Sequence, residues 1–161
     1  AGCNYPNETF SHSRRLFHHM VFFGFLLDLA ATSVAAFYVH FLGWQAPYPV
    51  LSWPVVLGTV GGIGLLIGPV GMLYLKWKSD RDPSDRNMVT MDVAFLVLLF
   101  LTSLTGMLLL IFRDTSAMGM LLVIHLGMVA GFFITAPYGK FAHVVYRYAA
   151  LVRYSIEQQR N

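Results

Sequence analysis

The chain has 161 residues, of which 57% are hydrophobic and 12% charged, against about 25% charged in ordinary soluble domains. With a mean hydropathy of +0.60, that composition excludes a water-soluble globular domain and predicts an all-α integral membrane protein. The net charge of +3 comes from basic residues that hug the ends of apolar stretches, so a nucleic-acid partner is the poorer explanation of it and none is expected. A lone cysteine, Cys3, rules out a disulfide framework and cannot by itself hold an iron–sulfur cluster, which takes four thiolates.

Residues 1–15 form a polar lead-in without an initiating Met or an apolar core, so the chain reads as processed or excised. Cys3 follows Ala-Gly as at a lipoprotein cleavage site, but the apolar segment that precedes such a site is not in this sequence. Residues 16–161 then read as a single domain. Four polar-poor stretches, 16–42, 54–75, 91–112 and 117–136, are each long enough to span a bilayer, and together they predict a four-helix transmembrane bundle. The first connection carries Trp44, Tyr48 and Trp53 among Pro47, Pro49 and Pro54, a stiff turn with aromatic anchors at headgroup depth. The second, with its DRDPSDR run, alternates charge signs and reads as a solvated loop. Pro137 interrupts the last span and predicts a kink or a break to an interfacial helix. Beyond it the tail is amphipathic, with Phe141, Val144, Val145, Tyr148 and Leu151 apolar and Lys140, Arg147 and Arg153 wet, an extension along the membrane surface.

Basic residues are one-sided. Arg14 and Arg15, then Lys76, Lys78, Arg81 and Arg86, then Lys140, Arg147, Arg153 and Arg160 fall on one side, and only Arg113 on the other. The positive-inside rule therefore puts both termini in the cytoplasm of a bacterial inner membrane.

The histidines carry the functional signal. Read along one helix, His125 and His143 are 18 residues apart, which is five turns and about 27 Å, so both imidazoles leave on one face near opposite bilayer surfaces. His18 and His40 bracket the first span in the same manner, 22 residues apart and about 40° from alignment. Because the first and last spans run in opposite directions, His18 shares a level with His143, and His40 with His125. Two transverse imidazole pairs suit bis-histidine ligation of two haems. Zinc suits them less, since neither level has the extra ligands that a tetrahedron needs. Glycine, abundant at 24, 58, 61, 62, 64, 68, 71, 127 and 131, provides flat space for a porphyrin, although the pairs Gly58/Gly62, Gly64/Gly68 and Gly127/Gly131 equally match close helix packing. A single intramembrane histidine is as readily a helix-pairing hydrogen-bonder, so joint placement carries the haem reading. His19 is the fallback for His18 or a neighbour to a propionate, and Arg14, Arg15 and Lys140 stand at the level where propionates would lie. Asp28, in mid-span, reads first as a protonated, inward hydrogen-bonded group and second as a proton relay to quinone. Asp92 reads as a helix N-terminal carboxylate.

The runs Arg14-Arg15-Leu16-Phe17-His18-His19, Phe23-Gly24-Phe25, Ala31-Thr32-Ser33, Leu42-Gly43-Trp44, Pro47-Tyr48-Pro49, GTVGGIGLLIGPVG at 58–71, LFLTSLTG at 99–106 and PYGKFAHVVYRYAALVRY at 137–154 resemble the membrane domain of the tricarballylate-utilisation protein B (TcuB/CitB) family. The His125 to His143 spacing is similar to that of the last helix of the nitrate reductase gamma subunit and of heterodisulfide reductase membrane subunits, both b-type cytochromes. The resemblance implies a haem b subunit, with one or two haems, within an oxidoreductase complex. It would pass electrons from a flavoprotein dehydrogenase of tricarballylate, whose FAD and iron–sulfur clusters lie in partners or in segments not in this sequence, to membrane quinone. The nitrate reductase pattern has a second histidine ten residues after the first on the partner helix; here that residue is Asp28, and His40 stands as the partner of His125 on level and face alone. The reading of a different class is a haem-free membrane anchor or small proton-coupled transporter.

Overall fold

The computed structural model describes residues 12–78, 86–138 and 140–160, with the side chains of 86–89, 138, 140–145, 147, 159 and 160 outside that description. The elements are α1 (His12–Leu42), α2 (Trp53–Lys78), α3 (Arg86–Ile111), α4 (Met118–Thr135), a 3-10 turn at Ala136–Tyr138 and α5 (Lys140–Arg160). Four of these helices are long and apolar enough to cross a membrane, and no strand occurs among the described residues. Large apolar side chains such as Phe23, Ile63, Val97 and Val123 are exposed, as on a bundle that faces lipid. This is the fold of a multi-pass helical membrane protein.

α1 begins at His12 and not at residue 16, since nothing between His12 and Arg15 breaks a helix. Its other end is set by Gly43, whose φ of 67° turns the chain so that the Trp44 N–H donates to the Tyr38 carbonyl at 3.0 Å. Loop 43–52 then folds back over the bundle: the Tyr48 hydroxyl donates to the Ala35 carbonyl at 3.2 Å, and the Tyr38 ring meets Trp44 and Tyr48 edge-on. Arg113, between α3 and α4, donates to the Tyr48 carbonyl at 2.9 Å and ties the two connections on this face together. We call this the loop face, and the opposite one, with the start of α1 and the 3-10 turn, the tail face.

Helices pack as sequence neighbours, α1 on α2, α2 on α3 and α3 on α4. The α1/α2 contact is the most extensive and rests on glycine. A Cβ on Gly61 would strike the Asp28 carboxylate and come within 2.8 Å of the Gly24 carbonyl, and one on Gly68 would stand 3.0 Å from the Val21 amide. A Cβ on Gly71 would strike the Phe17 ring. The backbones thus approach as only small residues permit, the main source of helix association where lipid is as apolar as the side chains. Pro69, fully buried in the same stretch, leaves α2 unbroken. Gly62 faces the other way, toward Ser103 and Met107 of α3, and the Ser103 hydroxyl donates to its carbonyl at 2.9 Å. By contrast nothing lies within 4 Å of a Cβ at Gly127 or Gly131, so the small-residue pair of α4 is not a packing seam.

One expectation changes. Asp92 lies in the second turn of α3, beyond the reach of the helix N-terminus; its carboxylate pairs with Lys76 of α2 at 2.8 Å instead. The tail breaks away from α4 as Pro137 predicts; the main contact of α5 among the described residues is with the 3-10 turn, and Leu151 and Ile156 are left uncovered. The DRDPSDR loop and Cys3 lie outside the described residues. Substituting Gly61→Val is expected to destabilise the bundle by about 1–3 kcal/mol through overpacking. Gly127→Ala, with open space around it, should stabilise by about 0.5–1 kcal/mol. Thermal denaturation in one detergent measures both, and equal shifts would contradict the glycine seam.

Candidate functional site

The first and last membrane helices close the ring of neighbours through an aromatic contact. Phe25 of α1 and the buried Phe132 of α4 lie 5.8 Å apart between ring centroids, and Phe95 of α3 joins Phe132 at 5.7 Å. On either side of this layer the same two stripes continue. Seven residues along a helix is about 20° short of two turns, so His18, Phe25 and Thr32 share one stripe of α1, and His125 and Phe132 share one of α4. Since the helices run antiparallel, His18 lies about 10 Å from the aromatic layer toward the tail face, and His125 about 10 Å from it toward the loop face.

On the loop-face side the α1/α4 seam opens into a cavity of about 390 Å³, lined by residues of all four membrane helices. Its walls are mostly apolar, among them Phe25, Leu65, Leu99 and Val129, and Arg113 stands at the end beneath loop 43–52. Asp28 of α1 and His125 of α4 both line it. Small residues make room for both: the carboxylate lies against Gly61, and the imidazole against Gly106, where a Cβ would be 3.0 Å from Cε1. The Thr105 Oγ1 lies 3.1 Å from His125 Nδ1. The same hydroxyl is within 2.9 Å of the Leu101 and Thr102 carbonyls, and when its one hydrogen goes to either of them its oxygen accepts from Nδ1–H. In that tautomer Nε2 is the nitrogen that can exchange protons or bind a ligand.

Other hydroxyls at the cavity are already used. Thr32 donates to the Asp28 carbonyl at 3.0 Å, Thr59 to Val55 at 2.7 Å, Thr102 to Leu98 at 2.8 Å and Ser103 to Gly62 at 2.9 Å. Among the described residues, none donates a hydrogen bond to the Asp28 carboxylate. The inward-bonded reading of Asp28 is therefore replaced by an aspartate that faces open space.

The histidines expected to act together are separated in two ways. α4 ends at Thr135 and the chain passes through Ala136–Tyr138 before α5, so His125 and His143 are not on one helix and the five-turn alignment does not hold. His40 is exposed near the end of α1 and does not line the cavity that holds His125. Measured from the aromatic layer, Thr32 is the α1 residue at the His125 level, and His40 lies about 12 Å beyond it. The structure does not bring that pair together. His18 is exposed on the seam stripe, and His19 is turned onto Phe23 with centroids 6.0 Å apart. Arg15 is exposed one turn before. The side chains of Lys140 and His143 lie outside the described residues, while the 3-10 turn brings the chain to the depth of His18 just before α5 starts. No group of three or more His, Cys, Asp or Glu side chains arranged to hold a metal occurs among the described residues. Thr105, Gly106 and Arg113 are site residues to which the sequence reading gave no role. Their traces were the LFLTSLTG run at 99–106, which ends in Thr105-Gly106, and Arg113's position as the single basic residue on its side.

Fold and site together define a multi-pass helical membrane protein with an intramembrane cavity that presents one carboxylate and one imidazole. The chain matches the Citrate utilization protein B family over residues 1–161 and belongs to it. It is similar to the Citrate utilization protein B of Escherichia coli, at 54% identity over 159 residues, which is 99% of this chain and 42% of that protein. The chain thus spans less than half the length of this relative. No solved structure matches it. Replacing Thr105 by Val removes the acceptor for His125 Nδ1–H while keeping the volume. With a hydrogen bond worth about 1 kcal/mol lost, carbethoxylation of His125 read by mass spectrometry is expected to rise up to roughly fivefold. An unchanged rate would show that Thr105 does not hold the ring.

Proposed function

We propose that this chain is the membrane electron-transfer part of a citrate or tricarballylate utilisation system, a b-type cytochrome that hands electrons to membrane quinone. The observation that carries this reading is the α1/α4 seam, where His18 shares the stripe of Phe25 and stands at the depth at which the chain leaves the 3-10 turn for α5. The haem site of the reading is there, on the tail face. His18 and His143 would hold the haem, with His19 beside them. The exposed His18 imidazole on an apolar seam fits a haem ligand; the cavity at His125, which holds one imidazole, does not fit ligation shared with His40. A haem held there would supply reversible one-electron transfer.

The chain's own residues do the remainder. Arg15 and Lys140 offer cationic partners for propionates, and basic side chains at the tail face hold that side in the cytoplasm of a bacterial inner membrane. Phe25, Phe132 and Phe95 fill the layer between the two levels and keep water out of it. The electrons come from a flavoprotein dehydrogenase through iron–sulfur clusters, carried by partner proteins or by other segments of a longer chain. Similarity to the Citrate utilization protein B of Escherichia coli supports citrate utilisation as the setting.

A reduced-minus-oxidised spectrum of the purified full chain, with pyridine haemochrome quantitation, tests the reading. One haem b per chain is expected, lost in His18→Ala and retained in His40→Ala. No Soret band in the wild-type chain would overturn the proposal in favour of a haem-free anchor or proton-coupled transporter.

A further inference from the structure

The cavity between α1 and α4 has a chemistry of its own, and we infer that it is the site where a prenylated quinone binds head-in from the lipid. The inference rests on the electron-transfer reading above and locates its acceptor. Three observations lead to it. The cavity walls are apolar, and two of the residues that line it, Leu29 of α1 and Phe133 of α4, are also exposed at 46% and 56%. The cavity therefore opens sideways, toward lipid, and its ligand is one that dissolves in the membrane and keeps its tail there. Inside, the hydroxyls of Thr32, Thr59, Thr102 and Ser103 are bonded to backbone carbonyls, and Arg113 is held by the Tyr48 carbonyl and Asp114.

The side chains left to address a ligand are Asp28 of α1, whose carboxylate lies against Gly61 of α2, and His125 of α4, whose ring lies against Gly106 of α3. A ring with two oxygens and an apolar tail matches a carboxyl and an imidazole presented from different helices; a lipid headgroup, with its charge, does not match walls of this kind.

The chemistry closes. A quinone that becomes a quinol takes two electrons and two protons, one proton on each oxygen. The electrons arrive singly from the one-electron donor on the tail-face side of the aromatic layer. His125 in its protonated form gives the Nε2 proton to one oxygen and is left as the Nδ1–H tautomer, for which Thr105 Oγ1 at 3.1 Å is an acceptor. Asp28 in its neutral form gives its proton to the other. Both groups are recharged from water at the loop face, past Arg113.

Photolabelling tests this on the full chain in lipid nanodiscs, with an azido-ubiquinone analogue and mass-spectrometric mapping of the label. Label is expected on the α1 and α4 segments that carry Leu29, Thr32, Val129 and Phe133, and excess decyl-ubiquinone should abolish it. His125→Leu and Asp28→Leu should each weaken protection by decyl-ubiquinone about tenfold, the loss of one hydrogen bond, and Asp28→Asn, which can still donate, should restore most of it. Label elsewhere on the wild-type chain would overturn the assignment, as would Leu variants that fold and bind unchanged. Loss of haem from His125→Leu would overturn it too, because His125 would then be an iron ligand. Absence of a Soret band refutes the electron-transfer reading while a mapped and competed label leaves the site standing, so the two failures are distinguishable.

Discussion

Backbone contact between α1 and α2 is the constraint on which the rest of this molecule depends. In lipid, helices gain little from hiding apolar side chains from each other, and close packing decides which of them associate. Here Gly61, Gly64, Gly68 and Gly71 of α2, with Gly24 of α1, draw the two backbones together. α1 is thereby held against α2. Its other side faces α4 across a seam bridged by Phe25 and Phe132. A bundle with uniformly large residues at every interface would spread its spacing evenly and would have no such seam.

The seam divides the protein into two levels with different chemistry. Toward the tail face it shows an imidazole on an open stripe, and toward the loop face a carboxylate and an imidazole across an apolar cavity. Phe25, Phe95 and Phe132 separate them. On the function proposed above, electrons would cross the middle and protons would exchange at the loop-face side only. Thr105 would contribute there by accepting from Nδ1–H and so leaving the Nε2 edge of His125 to a ligand.

Much of this was legible in the amino-acid sequence, because bilayer thickness and apolar length are tightly linked. The four spans, the interfacial aromatic loop and the break at Pro137 follow from composition and from residues with special backbones. Individual side-chain partners do not. His40 and His125 were matched by counting turns from the span ends, which assumes that the helices begin and end at equal depth. α1 has 31 residues and α4 has 18, so the end of α1 overshoots and His40 is carried past the level of its supposed partner. Asp92 was assigned to a helix end that lies elsewhere, since the charged stretch before it gives no sharp start signal, and Lys76 across the α2/α3 interface could not be seen as its partner. Gly106 and Thr105 look like filler in an apolar run until the His125 ring is found against them.

The 3-10 turn at Ala136–Tyr138 has a mechanical meaning. A continuous helix from His125 to His143 would act as a rod, so that any rotation imposed on its exposed end would turn the cavity wall as well. With the joint in place, α5 is set off from α4, and its main contact among the described residues is with the 3-10 turn. A rotation of α5 about that joint would therefore leave the α4 segment that carries His125, beside Thr105, where it is.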